Sequence, residues 1–195
     1  MLKPTEGDLF IDDINGNEID NASWRKQIGY VSQEAIIFDD TIANNICLLV
    51  GDLENDPDLS SKIISAAKKA NLHQFIETLP EGYSTQVGDR GIKLSGGQRQ
   101  RLFIARELFR KPNLLILDEA TSALDSESEK AIQKSIDDLK GKMTIIIIAH
   151  RLSTITNVDT IYVLNKGAIA EKGSFFELKN DSNSLFSKYV ASQEL

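Results

Sequence analysis

Apolar residues in this chain fall into short runs and helical stripes. Leu9-Phe10-Ile11 is a run that stops at Asp12-Asp13, and Asn15-Gly16 beyond it is a tight-turn signal. Residues 8–31 therefore read as short strands, the last being Ile28-Gly29-Tyr30-Val31, which ends in Ser32-Gln33. Then the period changes. Ile63, Ile64, Ala67 and Ala70 stand at helical spacing and predict a helix over 61–71; His73–Leu79 continues the pattern up to Pro80. Glu81–Lys93 is turn-rich, with Gly82, Gly88 and Gly91. A long helix is predicted from Gly96 to Arg110, with Pro112 just past its end. Leu114–Leu117 and Thr144–Ala149 read as buried strands, with a helix over Glu127–Leu139 between them. Ile161–Leu164 turns at Lys166-Gly167 into Ala168–Ala170. Strands alternating with helices imply an α/β fold with a mostly parallel sheet. The tail from Ser174 reads as two short surface helices, its end from Ser182 to Leu195 solvated.

Composition narrows the function. With 195 residues, 41% hydrophobic, 12 Gly and 4 Pro, the chain is an ordinary globular one and can bury a core without staples. Its net charge of −7 disfavours a general grip on nucleic acid or anionic lipid. The single cysteine, Cys47, makes no internal disulfide and suits a reducing compartment. No apolar run approaches the ~20 residues that cross a bilayer. Met1–Gly7 lacks the apolar centre of a signal peptide, so a soluble cytoplasmic domain is expected.

Three places carry candidate chemistry. Leu94-Ser95-Gly96-Gly97-Gln98-Arg99-Gln100-Arg101 puts a serine and two glycines at a helix start. First-turn N–H groups lack internal partners there and the helix dipole is positive, which favours an anion; a plain N-cap is the simpler reading. Asp118 and Glu119 end the strand Leu114–Leu117 at the edge where open α/β sheets bind ligands. Asp118 suits Mg²⁺ held through water and Glu119 suits a general base; a solvated acidic strand end is the alternative. His150 follows the strand Thr144–Ala149, where an imidazole can meet a phosphate or serve only packing. Gln33 also ends a strand, so four polar sites close successive core elements. His73, Trp24 and Cys47 read as packing residues. Glu34–Phe38 reads either as an exposed apolar dock or as core.

Together these residues resemble the nucleotide-binding domain of ATP-binding cassette (ABC) transporters over essentially the whole chain. Leu94–Gln98 reads LSGGQ, similar to the family's signature, and Leu114–Ala120 reads LLILDEA, similar to its Walker B strand. Ser122–Asp125 resembles the D-loop, Ala149-His150-Arg151 the H-loop and Tyr30–Gln33 the Q-loop. Thr85–Gly91 resembles the x-loop of exporter-type members, and Leu79–Tyr83 fits the same subclass. The resemblance implies a P-loop NTPase-like (RecA-like) parallel core with an α-helical subdomain and a small antiparallel β part. It implies a β part and Q-loop strand in residues 1–33, the helical subdomain in 34–110 and the core in 111–195. It implies ATP and Mg²⁺ as ligands. Glu119 and His150 would be catalytic. Gln33 would sense Mg²⁺ and water, and Asp118 would support the metal. Ser95, Gly96, Gly97 and Gln98 would bind the γ-phosphate of ATP held by a second nucleotide-binding domain, and Asp125 would communicate across that dimer. Transmembrane domains would be the other partner, with the chain at the cytoplasmic face of the membrane and no role for nucleic acid.

The family's phosphate loop, G-x-x-x-x-G-K-[ST], is not found in the 195 residues. The expectation is an N-terminally truncated domain whose own ATP binding is weak, whose sheet lacks a strand beside Thr144–Ala149, and whose exposed apolar edges lead to rearrangement, self-association or low stability. The alternative is an inactive ABC module that only binds or regulates a partner. An ABC ATPase of DNA repair or translation is disfavoured by the acidic charge and by Thr85–Gly91.

Overall fold

The computed structural model describes residues 4–32, 36–49, 56–91, 93–119, 126–149 and 151–193. At its centre lies a parallel sheet of three strands in the order β3-β4-β5: β3 (Ile28–Val31), β4 (Leu114–Asp118) and β5 (Thr144–Ile148). Val31 pairs with Leu117, and Asp118 with Ile148, so the three strands end together. Two antiparallel hairpins flank it in sequence: β1 (Phe10–Ile11) with β2 (Ile14–Asn15), and β6 (Ile161–Asn165) with β7 (Ala168–Gly173).

Helices fill the crossovers. Between β3 and β4 come α2 (Ile42–Cys47), α3 (Pro57–Lys69), α4 (His73–Glu77) and α5 (Gly96–Phe109); α1 (Asn21–Lys26) precedes β3. The start of α3 follows from its sequence. The Asp56 carboxylate accepts from the N–H groups of Asp58 and Leu59, and Pro57 occupies the first turn, where no N–H is needed. Lys68 and Lys69 close its last turn, favourably placed against the dipole. α6 (Ser126–Leu139) joins β4 to β5 and opens with Glu127 and Glu129. Its buried residues Ile132, Ser135, Ile136 and Leu139 form one stripe.

One apolar cluster runs from Val31 through α2, α3, α5 and β4 to Leu139. A second joins Ile161 to Phe175 and Leu178 of α7 (Phe175–Asn180) and to Phe186 and Val190 of α8 (Leu185–Gln193). The expectation of a solvated tail is thereby corrected. Phe186 and Val190 lie four apart on one face of α8 and are 4% and 2% exposed. Glu171 accepts from the Leu185 and Phe186 N–H groups, fixing the helix start.

The tight turn expected at Asn15-Gly16 is present, with Glu18 N–H donating to the Asn15 carbonyl at 2.9 Å, while the first hairpin itself turns one step earlier, at Asp12-Asp13. Asp12 takes the left-handed backbone the turn needs (φ 51°), Asn15 sits within β2, and Gly16 N–H returns to the Leu9 carbonyl at 2.7 Å. β5 is not buried on both faces. Ile145 and Ile147 pack on the core, whereas Ile146 and Ile148 are each 47% exposed on the same side as Tyr30. The sheet thus has one packed face, carrying Val31, Leu115 and Leu117, and one open face. Among the described residues no helix is long and apolar enough to cross a membrane.

Candidate functional site

Ser95 is the N-cap of α5. Its Oγ accepts from Gln98 N–H at 3.2 Å, and Gln98 Oε1 accepts from Ser95 N–H at 2.8 Å, closing a capping box. The plain cap of the sequence reading is present. The box consumes the third first-turn donor and holds the turn rigid. Gly96 and Gly97 are the first two residues of the helix, where a backbone N–H has no carbonyl of its own helix to donate to. Gly97 also marks a close approach of two helices: a Cβ there would collide with the side chain of Ser128 at the start of α6. Arg101 donates back to the Gly97 carbonyl at 3.3 Å and to the Asn71 carbonyl at 3.3 Å, adding positive charge to the same turn.

The second group closes the parallel sheet. Leu115 and Leu117 are fully buried and anchor β4, which leaves Asp118 and Glu119 at its end. Tyr30, on the neighbouring strand, donates its hydroxyl to Asp118 Oδ2 at 2.7 Å. The register explains this contact: Tyr30 pairs with Ile116, and Asp118 lies two residues on, facing the same side. The bond to Asp118 holds the Tyr30 phenol above its ordinary pKa, assisted by desolvation and by the carboxylate charge. Glu119 adopts left-handed backbone (φ 50°), and its N–H donates to the Ile148 carbonyl at 3.0 Å. For a residue with a side chain that conformation is strained, and strain of this kind concentrates at working sites.

Of the other predicted site residues, Gln33, Asp125 and His150 lie outside the described residues. Their neighbours are placed: Val31 ends β3 beside Leu117, Ser126 opens α6, and β5 runs up to Ile148 beside Asp118. Beyond His150, Arg151 Nη1 bonds Glu129 of α6 at 2.8 Å, and Ser153 Oγ donates to the same carboxylate. The candidate residues thus form two groups, the capped start of α5 and the carboxyl end of the sheet, joined through the start of α6. Mg²⁺ suits the second group. It takes hard oxygen ligands and is commonly bound by one or two carboxylates with substrate phosphates and water. Asp118 offers that carboxylate, and the described residues hold no cage of three or more His, Cys, Asp or Glu for another metal. Tyr30 and Ser128 were missed by sequence reasoning. Tyr30 is legible only from strand register, and Ser128 only from helix packing.

Fold and site together define an α/β protein with a parallel sheet, carboxylates at its carboxyl edge and a capped, glycine-bearing helix start. The family described as ABC transporter matches residues 1–122. ABC transporter B family member 1 of Dictyostelium discoideum is 46% identical over 190 residues, 97% of this chain and 20% of that protein. ABC transporter B family member 14 of Arabidopsis thaliana is 52% identical over 181 residues, covering 91% and 14%. The ATP-dependent lipid A-core flippase of Shewanella frigidimarina is 50% identical over 173 residues, covering 88% and 28%. A solved bacterial Atm1-family ABC exporter with ATP bound superposes with a TM-score of 0.84 at 40% identity, over 99% of this chain and 33% of that one. The chain belongs to the ABC transporter family. It spans less than a third of the length of these relatives.

Proposed function

We propose that this chain is the ATP-binding and ATP-hydrolysing domain of an exporter-type ABC transporter. The observation that carries the reading is the capped start of α5, whose serine and two glycines stand ready for a phosphate. On this reading residues 1–33 are the β part and Q-loop strand, 34–110 the helical subdomain and 111–195 the core. Ser95, Gly96, Gly97 and Gln98 bind the γ-phosphate of ATP seated on a second nucleotide-binding domain. Charge-assisted hydrogen bonds of this kind contribute about 1.5–3 kcal/mol each. Glu119 polarises the attacking water, Asp118 supports Mg²⁺, Gln33 senses Mg²⁺ and the water, His150 contacts the γ-phosphate, and Asp125 communicates across the dimer. Mg²⁺ neutralises developing phosphate charge, so the protein's task is positioning and electrostatics. Transmembrane domains take up the work at the cytoplasmic face of the membrane. The sequence lacks G-x-x-x-x-G-K-[ST], so the site this chain completes on its own signature side is one whose phosphate loop sits on the partner.

Mixing tests this directly. The partner is a nucleotide-binding domain with an intact phosphate loop and a disabled signature. Adding this chain is expected to restore hydrolysis, and Ser95→Arg is expected to abolish the gain. Glu119→Gln is expected to leave the gain intact, because the water in that composite site is polarised by the partner's glutamate. No gain in rate on mixing favours the inactive binding module instead.

A further inference from the structure

Arg106 lies on the third turn of α5 and is 8% exposed, and among the described residues its guanidinium donates to oxygens of Ile36 and Asn45. Its guanidinium points to the segment Ile36–Phe38, which leads out of Gln33. Nη1 donates to the Ile36 carbonyl at 2.7 Å and Nε to the Asn45 carbonyl at 2.7 Å. Nη2 donates to Asn45 Oδ1 at 3.0 Å. Asn45, fully buried, completes the net: its Oδ1 accepts from Phe38 N–H at 2.9 Å, and its Nδ2 donates to the Phe38 carbonyl at 3.0 Å. The guanidinium also lies between two aromatic rings, 5.5 Å from the centre of Phe38 and 5.4 Å from that of Phe103.

Burying a cation costs hydration; here its described hydrogen bonds go to neutral oxygens and its face meets aromatic rings, with the adjacent Glu107 carboxylate supplying favourable charge. Such groups are kept where geometry, more than stability, is needed, and the planar fork of arginine fixes several acceptors at once. Here two of the acceptors belong to Asn45 of α2, and the third is the Ile36 carbonyl, in a segment with no helix or strand of its own. Its side chains divide accordingly. Ile37 is 6% exposed and joins the core, while Ile36 and Phe38 are 73% and 46% exposed and face outward. Exposed and core positions thus alternate in this segment.

We propose that Arg106, acting with Asn45, is a positioning residue that makes Ile36–Phe38 move as one body with α5. The start of α5 carries Ser95–Gln98, so a shift of that helix on phosphate would be passed through Arg106 to the outward pair Ile36 and Phe38. That consequence rests on the function proposed above. The link itself rests only on the contacts and is testable without nucleotide.

Residue-resolved amide hydrogen exchange on the whole chain reads it. In the unsubstituted protein the Phe38 amide is expected to exchange within about tenfold of amides inside α5. Arg106→Met is expected to speed Phe38 exchange at least tenfold while amides inside α3 stay within threefold. Arg106→Lys, which keeps the charge and part of the donor set, is expected to recover a portion of the protection. Exchange of Phe38 at the rate of an open loop in the unsubstituted protein overturns the proposal, as does an equal acceleration of all amides in Arg106→Met. If the variants fail to fold, the measurement on the unsubstituted protein decides alone. Failure of the mixing assay with Phe38 protected would overturn the ATPase reading and leave this link standing.

Discussion

Glu119 carries two obligations that conflict. The proposed function asks its carboxylate to polarise a water, and its backbone sits at φ 50°, where a side chain costs about 1–2 kcal/mol. Glycine meets the backbone obligation and abandons the chemical one. Glu119→Gly is therefore expected to raise stability by about 1 kcal/mol, read from the urea midpoint, while Glu119→Ala shows no such gain. A Glu119→Gly protein less stable than Glu119→Ala would mean that the left-handed backbone costs nothing here. Asp118 shows the opposite economy. Its strand geometry is ordinary, and its orientation comes from one hydroxyl, that of Tyr30 at 2.7 Å.

At the scale of elements, the signature glycines answer to packing as well as to phosphate. Gly97 is buried against Ser128, with no room for a methyl group between the starts of α5 and α6. Gly97→Ala is expected to destabilise the chain by about 1–3 kcal/mol even in the absence of nucleotide. Ser128→Gly, made in the same chain, should recover part of that loss, and a thermal melt of the single and double variants measures the coupling. Two losses that simply add would show the helices do not touch there. Much of this element layout was legible beforehand. The stripe Ile63, Ile64, Ala67 and Ala70 marks α3 and its C-cap, and Leu114–Leu117 became β4, because period and run length report local structure. The six-residue α2 was missed, although Thr41 caps it and Ile42 and Ile46 share its buried face. So was the hydrogen bond between Tyr30 and Asp118, 88 positions apart, because no local pattern encodes which strands become neighbours. The LSGGQ and LLILDEA segments supplied the candidate residues, but only the fold shows that Ser95 and Gln98 close a capping box.

Ile145–Ile148 is the clearest case of what only the whole molecule decides. Four isoleucines in a row have no period, and the run reads as a strand buried on both faces. In the molecule α6 and the main core cover one face, while Ile146 and Ile148 join the half-exposed Tyr30 on the other. Leu117, in the neighbouring strand, is fully buried against that core. The same chemical change at the two kinds of position must then act in opposite ways. Ile146→Lys removes an exposed branched side chain from an open apolar face, so it is expected to lower binding of a hydrophobic dye and light scattering with little change in melting temperature. Leu117→Lys strands a charge in a closed core and is expected to abolish cooperative unfolding. The net charge of −7 keeps molecules apart only at long range and is screened within about 8 Å at physiological salt, so it does not mask the open face at close approach. Equal dye binding by the Ile146→Lys variant and the unsubstituted chain would show that the face is covered in solution, contrary to the exposure of Ile146 and Ile148 in the fold.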